Sequence, residues 1–137
     1  MKTTNWEKVF ITPQKFHDDV IKLCSLIPKN KYRYVYGIPR GGWAVAVYVS
    51  HYCNLDLIIC DDVIHSSISF VKDTILVDDL ADTGATLEKG KEYDSAVIYY
   101  KPRSVIKPTY YVEEIKNTDW IVFPFEKENE EPNREVS

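Results

Sequence analysis

The stretch TILVDDLADTGATLEKG, residues 74–90, starts as a strand (TILV). It then places Asp78, Asp79 and Asp82 within five positions and passes through Thr83-Gly84-Ala85-Thr86 into a helical pattern. In a chain of net charge −4, crowded carboxylates cost electrostatic energy unless something binds beside them. A solvated turn is the plainest reading, since Asp, Thr and Gly are ordinary turn residues. A magnesium-holding strand of the Walker B kind needs a GxxxxGK[ST] partner, and the sequence has none. Asp82-Thr83-Gly84 is also the catalytic triplet of aspartic proteases, but those are all-β, and helical patterns flank the triplet here. A fourth reading uses more of the residues. A glycine-bearing turn that opens a helix offers backbone N–H groups to a phosphate, helped by the helix dipole. Thr83 and Thr86 add hydroxyl donors. Ionised Asp78 and Asp79 only accept, which suits sugar hydroxyls or a metal ion. One loop then grips a sugar by its hydroxyls on one side and its phosphate on the other. That is what a ribose 5-phosphate demands, with Mg²⁺ offsetting the excess charge.

The flanking sequence alternates strand and helix. Thr12-Pro13 is a helix start, and Phe16, Val20, Leu23 and Ile27 mark one face of that helix. Residues 32–37 read as a strand, and Gly41-Gly42 opens a second helix over 43–53, apolar nearly all round and so expected to be well buried. Strands follow at 55–60, 74–77 and 95–100, with a loop or short hairpin at 61–72 and a helix over 85–93. Two extended pieces, 110–115 and 120–123, close the pattern. The order predicts an α/β fold, a mainly parallel sheet flanked by helices. In such sheets ligands bind at the carboxyl ends of strands. Two loops fall there: GIPRGG at 37–42 and the acidic loop at 78–86.

With 137 residues the chain suits one domain, spanning 1–126, and the charged, proline-broken tail at 127–137 is predicted to be disordered. A pI of about 5.4 argues against nucleic-acid binding through a basic field. No apolar run is long enough to span a bilayer, and MKTTNWEKVF lacks a signal segment, so a cytoplasmic protein with no membrane partner is expected. Cys24, Cys53 and Cys60 read as reduced, partly buried thiols.

ILVDDLADTGATL resembles the phosphoribosyl pyrophosphate signature of the type I phosphoribosyltransferases. GIPRGG resembles the loop that these enzymes place against pyrophosphate. YYKPRS, at 99–104, and NTDWIVFPFE, at 117–126, resemble the strand ending in Lys-Pro and the Asp-x-Trp-Ile…Pro segment of the bacterial xanthine–guanine branch. The resemblance covers nearly the whole folded chain. It implies the family fold with a small C-terminal base-binding hood, Mg²⁺ as cofactor, and transfer of ribose 5-phosphate from phosphoribosyl pyrophosphate to a 6-oxopurine. Carried over residue by residue, Asp78 and Asp79 bind the ribose hydroxyls and the metal, with Asp79 the metal ligand. Thr83, Gly84, Ala85 and Thr86 line the 5-phosphate cradle, and Ala81 is a further substrate-binding position. Arg40 and Gly41 meet pyrophosphate, next to a peptide, Pro39-Arg40, that is often cis in the family. Asp82 handles the purine proton, unless it merely caps the following helix. Lys101 donates to the 6-oxo group, which disfavours adenine. Trp120 stacks on the base, and the Ile121 carbonyl receives a base N–H.

In one respect the sequence departs from the family. Relatives carry a mobile flap over the site, whereas 61–72 (DDVIHSSISFVK) is short and carries Ile64, Ile68 and Phe70. A homo-oligomer is therefore expected, with a neighbouring subunit covering part of this segment. The trimmed flap also leaves open a non-catalytic, nucleotide-binding or regulatory relative on the same fold.

Overall fold

A computed structural model describes residues 6–58 and 71–127. The elements, in chain order, are β1 (Glu7–Phe10), α1 (Pro13–Leu26), β2 (Tyr34–Gly37), α2 (Gly41–Cys53), β3 (Asp56–Ile58), β4 (Thr74–Ala81), α3 (Ala85–Lys89), β5 (Asp94–Tyr100), β6 (Tyr110–Glu114) and β7 (Asp119–Val122), with a 3₁₀ turn at Val71–Asp73 before β4. Five strands form one sheet in the order β3-β2-β4-β5-β6, and all four neighbouring pairs are parallel. The predicted α/β class is therefore borne out. β7 joins a separate two-stranded parallel sheet with β1, so the two ends of the described chain meet.

Side-chain alternation along the strands explains the layers. Val35, Ile75, Val77, Ala96 and Ile98 share one core with Phe16, Val20 and Leu23 of α1 and Val45 and Val49 of α2. Tyr36, Leu76 and Val97, one position out of phase, pack on the opposite face with Leu87 of α3 and Tyr93. α1 starts where the sequence places it: Thr12 Oγ1 accepts from the Lys15 N–H at 3.1 Å, and Pro13 is the first helical residue.

Three expectations need correcting. α2 is not buried all round: Gly42, Val45, Ala46 and Val49 face inward, while Trp43 is 58% and Val47 48% exposed. A helix laid on one face of a sheet keeps an outer side whatever its composition. β4 does not stop at Val77 but runs to Ala81. Pairing with β5, from Ile75↔Asp94 to Ala81↔Tyr100, keeps the backbone extended through the acidic residues, so Asp78 and Asp79 stand on a strand end rather than in a loop. α3 spans only Ala85–Lys89 and not 85–93, because Gly90 terminates it. Cys24 is buried and Cys53 half-buried, both as free thiols. Cys60, most of the 61–72 segment and all of the charged tail but Lys127 lie outside the described residues. Among the described residues, no helix is long and apolar enough to cross a membrane.

Candidate active site

The carboxyl ends of β2, β4 and β5 lie side by side because the strands are parallel and adjacent, with Gly37 beside Val77 and Ala81 beside Tyr100. The segments that follow them (38–42, 82–86 and 101–106) therefore meet at one edge of the sheet. This is the convergence that the sequence predicts for its two loops.

The acidic pair sits at the first junction. The Asp79 N–H donates to Asp78 Oδ1 at 2.8 Å, which orients one carboxylate by the other's backbone. The Asp79 carboxylate leans against the start of α2. A Cβ placed on Gly41 would come within 1.9 Å of Asp79 Oδ2, so only glycine admits this approach. Gly42 is as close to β4, where a Cβ would meet the Val77 carbonyl oxygen at 2.6 Å. Glycines thus let the pyrophosphate-loop candidate and the acidic strand end touch. Burial pushes the Asp79 carboxyl above its ordinary range, and hydrogen bonds from Asp78 and nearby backbone only partly offset this. Asp79 is half-buried, and a carboxylate that resists ionising is one that a cation would stabilise. Among the described residues, no group of three or more His, Cys, Asp or Glu side chains is placed to hold a metal. Mg²⁺ commonly takes one or two carboxylates and completes its shell with water and substrate phosphates. Asp78 and Asp79 fit such a role.

Pro39-Arg40 is a cis peptide, as the resemblance implies. Arg40 is exposed and occupies the N-cap position of α2.

The phosphate-cradle candidate is held from behind by the segment after β5. Val105 N–H donates to the Thr83 carbonyl at 2.8 Å, and Lys101 N–H to the Ala81 carbonyl at 2.9 Å. Gly84 has φ 83°, and a Cβ there would strike Ser104 Oγ at 2.4 Å, so both conformation and space require glycine. Thr83 and Ala85 are exposed, and Thr86 is half-buried. Thr83 Oγ1 accepts from the Ala85 N–H at 3.3 Å. The five residues of α3 give little dipole, so an anion here would be held by individual N–H and O–H donors rather than by a macrodipole.

Asp82 does not cap α3, whose N-cap is Gly84. Its side chain turns away, 4% exposed, into a cluster that the sequence indicates only in part. Arg103 Nε donates to Asp82 Oδ1 at 2.6 Å, and Arg103 Nη2 lies at the same distance. Lys101 Nζ, with a side chain 0% exposed, lies 3.4 Å from Asp82 Oδ2 without hydrogen-bonding geometry. Asp82 Oδ2 and Lys101 Nζ have no hydrogen-bond partner among the described residues. Desolvation lowers the Lys101 pKa, and the negative charge of Asp82 opposes that shift. Trp6 roofs the cluster: its ring centroid is 4.5 Å from Lys101 Nζ and 5.3 Å from Arg103 Cζ. The sequence predicts Asp82 and Lys101 for this site but neither Arg103 nor Trp6. A Lys-Pro-Arg turn directly after a strand is a signal that could have raised Arg103. Nothing local marks Trp6.

Trp120 is half-buried, with Lys8 Nζ 4.6 Å from its ring centroid. Ile121 is buried in the β1–β7 sheet. The Thr118 and Val122 carbonyls accept from Glu7 and Ile11, so alternation along β7 turns the Ile121 carbonyl to the opposite edge. Trp6, whose ring lies 4.5 Å from Lys101 Nζ, immediately precedes β1, the strand paired with β7, which puts β7 near the Lys101 cluster.

A mainly parallel sheet flanked by helices, with an acidic strand end and a glycine turn at its carboxyl edge, has the fold of the type I phosphoribosyltransferases. A xanthine–guanine phosphoribosyltransferase of Nitratidesulfovibrio vulgaris (strain Hildenborough) is 28% identical, over 90% of this chain and 88% of its own. The crystal structure of a purine phosphoribosyltransferase from Pyrococcus horikoshii superposes with TM-score 0.69 at 28% identity, covering 88% of this chain and 95% of that one. The xanthine–guanine–hypoxanthine phosphoribosyltransferase of Helicobacter pylori shares the fold, with TM-score 0.70 at 18% identity over 85% and 92% of the two chains. No family model matches the sequence. The relatives bear out both the resemblance read from the sequence and the reading as an enzyme, and they support purine phosphoribosyltransferase activity.

Proposed function

We propose that the protein transfers ribose 5-phosphate from phosphoribosyl pyrophosphate to a 6-oxopurine (guanine, xanthine or hypoxanthine) and releases pyrophosphate. The observation that carries this reading is the fully buried Lys101 ammonium, which is ion-paired with Asp82 at 3.4 Å, makes no hydrogen bond of good geometry among the described residues, and lies beside the candidate sugar-phosphate site. An ammonium donates and cannot accept. A 6-oxo group satisfies it, whereas the 6-amino group of adenine would present a second donor.

In this reading the bond from C1 to the pyrophosphate oxygen breaks as a purine nitrogen forms its bond to C1. The departing electron pair stays on pyrophosphate, and the purine nitrogen sheds its proton. Asp78 and Asp79 hold the ribose hydroxyls, and Asp79 with Asp78 would hold Mg²⁺, which supplies charge neutralisation for the pyrophosphate when bound. The N–H groups at 83–86 and the hydroxyls of Thr83 and Thr86 hold the 5-phosphate, and Arg40 with the Gly41 amide meets the leaving pyrophosphate. Asp82 Oδ2 faces the base as proton acceptor, while Arg103 fixes its other oxygen. Trp120 stacks on the base at a hood made by the β1–β7 sheet, and the Ile121 carbonyl accepts a base N–H. Holding base and ribose in line accounts for much of such a rate enhancement.

A base panel with phosphoribosyl pyrophosphate and Mg²⁺ tests this. Nucleotide should form with one or more 6-oxopurines, and with adenine at a rate lower by about 10⁴-fold, the discrimination that an unpaired buried polar group can impose. Comparable rates with adenine would overturn the base assignment. No nucleotide from any base would favour the regulatory, non-catalytic reading.

We further infer a homo-oligomer in which a neighbouring subunit covers Ile64, Ile68 and Phe70, in a segment mostly outside the described residues. Light scattering should report more than one chain per particle. A strictly monomeric enzyme with no hydrolysis of phosphoribosyl pyrophosphate in the absence of base would overturn this.

A further inference from the structure

The Trp6 indole covers the functional end of Lys101, and the distances decide what that cover means. A purine oxygen accepting from Nζ would lie about 2.9 Å from it, and an aromatic ring beyond that oxygen about 3.4 Å further. A base between Lys101 and Trp6 would thus need roughly 6 Å from Nζ to the ring along that line, whereas the separation is 4.5 Å. The indole therefore occupies the approach to Lys101 and is not stacked over a vacant slot. We propose that Trp6 is a specificity gate of the base subsite: a base reaches Lys101 only by displacing the indole. This rests on the purine reading above and adds a residue to it.

Three further observations agree. Lys101 Nζ and Asp82 Oδ2 are both buried and face each other as an ion pair at 3.4 Å, without hydrogen-bonding geometry, so each keeps hydrogen-bonding capacity under Trp6. An oxo group accepting from Lys101 gains a charge-assisted hydrogen bond, which offsets the cation–π contact that the displaced indole gives up. A base without an acceptor at that position does not, which links opening of the gate to the correct substrate. Trp6 immediately precedes β1, whose first amide, Glu7 N–H, donates to the Thr118 carbonyl at 3.1 Å. The indole can swing without breaking the β1–β7 ladder. While closed, it keeps Lys101 and Asp82 dry, which limits attack of water at C1 before the base arrives.

The test uses the full-length protein and its Trp6→Ala and Trp6→Phe variants, with hypoxanthine as the probe. If the open form makes up about one-tenth of the base-free enzyme, the apparent affinity for base is reduced about tenfold. Trp6→Ala should then lower the KM for hypoxanthine by about that factor, leave the KM for phosphoribosyl pyrophosphate in place, and raise its hydrolysis in the absence of base. Trp6→Phe should fall between. Tryptophan emission should change on hypoxanthine binding in the unaltered protein and, through Trp120 alone, in Trp6→Phe, so the difference between the two changes reports Trp6, a readout that does not depend on how well the alanine variant folds. A raised KM for hypoxanthine in Trp6→Ala would mean that the indole is a stacking contact and would overturn the gate. So would an unchanged KM with unchanged Trp6 emission, even with nucleotide formation intact. Absence of calorimetric binding of any base to either protein would instead overturn the purine reading, and the gate with it.

Discussion

Lys101→Met should reduce nucleotide formation from 6-oxopurines by about 10³–10⁴-fold, the scale set by losing a charge-assisted hydrogen bond in a buried polar site. Methionine keeps much of the volume of the buried stem, so the core around β5 has little reason to collapse. Asp82 also keeps Arg103 on its Oδ1 at 2.6 Å, so the carboxylate is not left uncompensated. The KM for phosphoribosyl pyrophosphate should hardly change, because its candidate contacts lie on the β4 end and the 83–86 turn. Thermal unfolding should stay within a few degrees of the original. A loss of less than about tenfold would show that Lys101 does not read the base. An equal loss in phosphoribosyl pyrophosphate binding would point to a general disturbance of the cluster.

Asp79→Asn should separate function from stability in opposite directions. The asparagine keeps the shape that nests against Gly41 but removes the charge. If Asp79 holds the metal and the ribose, the variant should lose nucleotide formation by about 10²–10³-fold or more, as when a single preorganised electrostatic contact is removed. Mg²⁺ with phosphoribosyl pyrophosphate should then no longer raise its Tm. In the free protein, burial raises the Asp79 carboxyl above its unfolded value of 3.8. For an acid so shifted, the folded state binds the extra proton. The associated stability is present below the unfolded pKa and is lost as pH rises through the folded one. At neutral pH the ionised carboxylate is therefore a cost that asparagine avoids, and the variant's Tm should rise. Chelation of Mg²⁺ with EDTA should abolish activity in the unaltered protein. Full activity in EDTA, or a destabilised Asp79→Asn that still makes nucleotide, would sink the assignment.

What the sequence determined alone was local. Thr12-Pro13 starts α1 because an N-cap hydroxyl and a proline act within one turn. The alternation of apolar strands with helices specifies the parallel sheet, whose carboxyl edge then follows. Asp78, Asp79, Asp82 and Thr83 to Thr86 are legible together because the chemistry that they support lies within nine residues of chain. Tertiary structure decided everything that depends on two distant segments meeting. Pairing with β5 extends β4 through its acids, which local charge crowding argues against. The sheet turns only one side of α2 inward, so Trp43 and Val47 are exposed although the helix is apolar nearly all round. Asp82 could have been a helix cap by sequence. It became the centre of an ion cluster because Arg103, on the connection after β5, reaches its carboxylate. Trp6 carries no local mark of a role at all. Its place over Lys101 follows from β1 pairing with β7 across most of the chain, a contact fixed by the closing of the fold and by no pattern within reach of either residue.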